Sequence, residues 1–115
     1  MDQNDYQALK DRLEDFLGDN WGEMYPAGHP GYNRELSDDE VIEHFVTHTD
    51  KQNIQRVISD IQDFAAAPNE TAPEKARFIR DHANILTYIP SDDDQGPLNW
   101  LGRQAKSLQG HLSRP

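Results

Sequence analysis

The chain has 115 residues, no cysteine, and 21 acidic against 11 basic side chains, for a formal net charge of -10. That length predicts one domain, residues 1–115, with a single modest core, and the missing cysteine excludes a disulfide framework and a thiolate metal site. The acid excess opposes binding to nucleic acid and favours a basic partner. It is confined to residues 1–63, with 15 acids against five bases, whereas residues 64–115 hold six of each.

A hydrophobic content of 35% is lean and predicts helices with narrow apolar stripes rather than a sheet covered on both faces. The first such stripe is Tyr6, Leu9, Leu13, Phe16 and Leu17, behind a cap at Asn4 or Asp5 and ahead of a stop at Gly18. From Asp19 to Leu36 the sequence holds Gly22, Pro26, Gly28, Pro30 and Gly31 among Trp21, Met24, Tyr25 and Tyr32. This composition predicts a long loop pinned by aromatics.

Ser37 and Glu40 have the spacing of a capping box, and Val41, Ile42, Phe45 and Val46 supply an apolar face for a second helix from about Asp38 to His48. Its first turn carries Asp38, Asp39 and Glu40, which complement the positive end of the helix dipole. With Glu35 and Glu43 they form an acidic run containing no lysine or arginine. Past a polar break at Thr49 and Asp50, Ile54, Val57, Ile58, Ile61, Phe64 and Ala65 trace a third helix that Pro68 and Asn69 close.

Thr71, Pro73 and Glu74 signal a fourth helix, which buries Ala76, Phe78, Ile79 and Ala83. Ile85 to Ile89 reads as a helix end plus connector, and Ser91 to Gly96, with Asp92, Asp93 and Asp94, as a loop. A last helix then starts near Pro97, with Leu98, Leu101, Ala105, Leu108 and Leu112 on its stripe and Trp100 at the edge. The expected fold is all-α, about five helices in one compact domain.

Taken in order, several blocks resemble those of the contact-dependent growth inhibition immunity proteins, a family of small helical bacterial proteins. They are Phe16-Leu17-Gly18-Asp19-Asn20-Trp21, Asp39-Glu40-Val41-Ile42-Glu43-His44-Phe45, Val57-Ile58-Ser59-Asp60-Ile61, Ile85 to Pro90, and Gly96-Pro97-Leu98-Asn99-Trp100-Leu101. The resemblance spans about residues 9–108 and rests on order and spacing, with most weight on Gly-Pro-x-x-Trp-Leu and the early tryptophan. Asn20-Trp21 stands where the family carries an Asp-Trp pair, and residues 22–36 form an insertion.

The resemblance implies a non-catalytic inhibitor that binds the toxic C-terminal domain of a contact-delivered effector. If that toxin is a nuclease, an acidic face suits its basic substrate groove and steers association. The residues expected to meet the partner are Glu35, Asp38, Asp39 and Glu43 on the acidic run, Trp21, Tyr25 and Tyr32 in the loop, and the Asp92, Asp93 and Asp94 triplet. No cofactor is expected. Met1 to Asp5 has neither the basic nor the apolar region of a secretory signal, and no run approaches the ~18 apolar residues of a membrane span, so the expected compartment is the cytoplasm.

Two other classes compete. His44 and His48 lie four apart on one helical face, a spacing that can place two imidazoles on one metal, although His-x-x-x-His lacks the central acid of a zinc protease. The other class is an acidic interaction or regulatory module. Its DNA-binding version, with residues 37–83 imitating a helix-turn-helix, has too few bases to neutralise several phosphates.

Overall fold

The computed structural model describes residues 1–21, 38–83 and 95–113. These residues form α1 (Gln3–Trp21), α2 (Asp38–Thr47), α3 (Lys51–Ala66), α4 (Ala72–His82) and α5 (Gln95–Ser113), with no strand among them. The all-α expectation therefore holds. The expected Ser37 cap, the Ile85–Ile89 connector and most of the aromatic loop lie outside the described residues.

Local chemistry sets most of the helix boundaries. α1 begins earlier than expected, because Asp2 Oδ1 accepts the Asn4 amide at 2.7 Å and so provides the cap. It also runs through Gly18 to Trp21. A mid-helix glycine costs about 1 kcal/mol, and burial of Leu17, Asn20 and Trp21 around it outweighs that cost. Asp50, read in the sequence as part of a polar break, caps α3 by accepting the Asn53 amide at 2.7 Å.

The α4 start forms as expected. Glu74 accepts the Thr71 amide at 3.0 Å, and Thr71 Oγ1 accepts the Glu74 amide at 3.3 Å. The Thr71 amide, and after it the Thr71 hydroxyl, which donates to Glu74 Oε1 at 2.9 Å, hold the Glu74 carboxyl below the usual carboxylate range. Lys75, a residue absent from the expected core, is 6% exposed. Its ammonium donates to the Ala65 and Ala67 carbonyls at 3.2 and 2.6 Å, satisfying the end of α3 with the charge the helix dipole favours there.

α1 and α5 each pack against α2, α3 and α4. Between them lie the fully buried Tyr6, Leu17, Ile42, Phe64, Ile79, Trp100 and Leu108. The α5 stripe is rotated from its expected position: Trp100 is completely buried, while Leu98 and Leu112 are only partly so. The cause is its partner, since the Trp100 ring meets the edge of Trp21 at 5.0 Å and ties the start of α5 to the end of α1.

Candidate functional site

α1 presents two flanks of different character. On the flank facing α4, Lys10 pairs with Glu70 at 3.0 Å and lies 5.0 Å from the Phe78 ring centroid. Four residues on, Glu14 stands 3.7 Å from His82 Nδ1. The buried Tyr6 hydroxyl makes no hydrogen bond of good geometry. Burial pushes its pKa up, and the nearby Glu70 carboxylate pushes it the same way. On this flank Lys10 and Glu14 each have a side-chain neighbour that can pair with them.

The opposite flank borders an open groove of about 370 Å³ between α1, α2 and α3. Phe16 and Phe45 line it with their rings 4.9 Å apart, edge to face. Arg12 reaches across to Asp60 of α3 through two 2.9 Å hydrogen bonds from its Nε and Nη2. Asp60 is 5% exposed, so this forked pair neutralises a charge that burial alone would make costly. Arg56, also at the groove, donates from Nη2 to Asn53 Oδ1 at 2.9 Å.

Asp15 and Asp19 line the same groove, are exposed, and have no cationic partner among the described residues. Beside them Asn20 is 8% exposed. Its side-chain nitrogen donates to the Phe16 carbonyl at 2.8 Å.

The acidic run of α2 divides by role. Asp38 accepts the Trp21 indole N–H at 3.1 Å on Oδ1 and the Trp100 indole N–H at 2.9 Å on Oδ2. Gln104, 2% exposed, adds a longer contact of 3.5 Å to Oδ2. One carboxylate thus joins α1, α2 and α5 by bonding both tryptophans of the chain. Trp21, expected in the loop, is instead the last residue of α1, 7% exposed and packed against Phe16 and Trp100. In this structure Trp21 and Asp38 face inward. Asp39 and Glu43 are exposed, and their carboxylates have no cationic partner among the described residues.

The other expected contact residues, Tyr25, Tyr32, Glu35, Asp92, Asp93 and Asp94, lie outside the described residues. The His44 and His48 rings do come together, with centroids 4.3 Å apart, and both line the groove. His48 Nδ1 is engaged with the His44 carbonyl at 2.8 Å, and among the described residues no group of three or more His, Cys, Asp or Glu is placed to hold a metal ion. Nor is any described helix long and apolar enough to cross a membrane.

Sequence reasoning missed the exposed Asp15 and Asp19. A signal was present, because two acids at i and i+4 without an intervening base repel one another on a helix surface. No known family model, curated protein or solved structure matches the chain.

Proposed function

We propose that this protein is a stoichiometric, non-catalytic inhibitor that binds a basic surface on a partner protein. In the reading its sequence resemblance suggests, the partner is the toxic domain of a contact-delivered effector and the chain is the immunity protein. The observation that carries the proposal is the division of the acidic side chains. Asp38 and Asp60 are engaged internally, whereas Asp15, Asp19, Asp39 and Glu43 stand exposed on α1 and α2 without cationic partners among the described residues. Unpaired surface carboxylates raise the local negative potential, speed encounter with a basic partner, and disfavour nucleic acid at the same surface. Inhibition by occupancy needs no reacting group on the inhibitor.

The test is co-expression with the C-terminal domain of a large secreted effector, should one be encoded beside this chain. Restored growth, together with an inhibition curve that breaks at one inhibitor per toxin, is the expected result. Unrelieved toxicity and no complex on size-exclusion chromatography would sink the immunity reading. An acidic regulatory module is the second reading, favoured by the same unpaired carboxylates, and it predicts a basic partner that is not toxic.

A further inference from the structure

We propose that α2 is a releasable element, latched by Asp38, which unfolds locally while α1, α3, α4 and α5 stay folded as one body. This property belongs to the chain alone and holds whatever its partner. Among its 10 residues α2 buries only Val41 and Ile42, against seven buried residues in α1 and six each in α3 and α5. Phe45 and Val46 are partly buried. α2 packs on α5 and α1, and the groove of about 370 Å³ stands between it and α3. Few buried apolar side chains and one open side are the marks of a low-stability segment.

The polar bonds are as uneven. At one end Asp38 holds the Trp21 and Trp100 indoles. At the other, Thr47 Oγ1 donates to the Glu43 carbonyl at 2.7 Å and His48 Nδ1 engages the His44 carbonyl at 2.8 Å, both within α2 itself. The neighbouring helices do not need α2 to keep their ends. Asp50 caps α3, and Trp21 meets Phe16 and Trp100 edge to face at 5.5 and 5.0 Å. A helix of ten residues is too short to persist alone in water, so release means local unfolding. It detaches Asp38 from both indoles and uncovers the Phe16 ring that Phe45 covers. If the chain acts through its acidic face, release changes that face, because Asp39 and Glu43 ride on α2.

The test is native-state hydrogen exchange by NMR on the full chain at low denaturant concentrations, read at the Ile42–Thr47 amides, which have partners within the helix. These amides should open at least roughly tenfold more often than core amides of α1, α3 and α5, with a weaker denaturant dependence, because less surface is exposed. Asp38→Asn should speed exchange in α2 and in the core alike, since the latch is lost in both openings. Phe64→Leu separates the two, because Phe64 lies between Tyr6 and Phe78 on the α4 flank of α1. Core exchange should then rise roughly 5–30-fold while α2 exchange stays as it was. Equal acceleration of α2 and core in Phe64→Leu, equal protection of both in the unaltered chain, or unchanged α2 exchange in Asp38→Asn would each overturn the proposal.

Discussion

The two flanks of α1 carry similar residues and end in opposite states. Toward α4, Lys10 and Glu14 find partners in Glu70 and His82, and aromatic rings cover the space around Lys10. Toward α2 and α3, Asp15 and Asp19 face a groove without a cationic partner among the described residues. Exposed pairs are worth little to stability, so the contrast says little about folding energy. It says where binding capacity has been left unused.

The largest effect should come from emptying the closed flank. Tyr6→Ala removes a ring that is fully buried and stacked 6.0 Å from Phe64, and should destabilise by about 3–5 kcal/mol in chemical denaturation, as large aromatic-to-alanine changes in cores do. A loss below about 0.5 kcal/mol, the size of an ordinary surface substitution, would mean that this flank is not the packed one.

Next comes the carboxylate that joins the helices where the open flank ends. Asp38→Ala leaves the Trp21 and Trp100 indoles without their acceptor, at a cost of about 1–3 kcal/mol for each orphaned buried donor. Because these are the only tryptophans in the chain, their fluorescence should also change in the folded state. An unchanged spectrum and midpoint would show that the clamp does not form in solution.

Alkaline pH tests the closed flank a second way. The folded-state pKa of Tyr6 is raised, by burial first and then by Glu70, so its contribution to stability is fully present below the unfolded value of about 10 and is lost as pH rises above it. Tyr6→Phe should flatten that limb of the stability curve; an identical limb in both proteins would assign alkaline unfolding to other groups. The smallest effect belongs to the open flank. Asp15→Asn with Asp19→Asn should raise stability by about 0.2–0.5 kcal/mol, since it removes like charges one turn apart. Destabilisation instead would reveal a structural role for these carboxylates.

Helical periodicity made most of this fold legible. Leu9, Leu13 and Leu17, then Ile54, Val57, Ile58 and Ile61, announce their buried face through spacing alone, and Thr71 with Glu74 announces a helix start by side-chain chemistry. Trp100 was misplaced because its burial depends on Trp21, far away in sequence. The same limit explains the acidic residues. Asp38 looks like Asp39 in the sequence, and only contacts spanning 17 and 62 positions distinguish the clamp from the free carboxylate. Likewise, the Arg12–Asp60 pair spans 48 positions. A charge run shows how many acids are present but not which of them the fold will use internally.

The exposed acids of α1 and α2 that lack cationic partners among the described residues are proposed to form the surface that meets a basic partner. This proposal can be tested by the association rate with the proposed toxin partner at two salt concentrations, for the unaltered chain and for Asp19→Lys combined with Glu43→Lys. Both residues are exposed and outside the Asp38 clamp, so the fold should survive. Slower association and a weaker salt dependence are expected of the double variant. Unchanged rates at both salt concentrations would contradict it and show that these carboxylates are merely solvated.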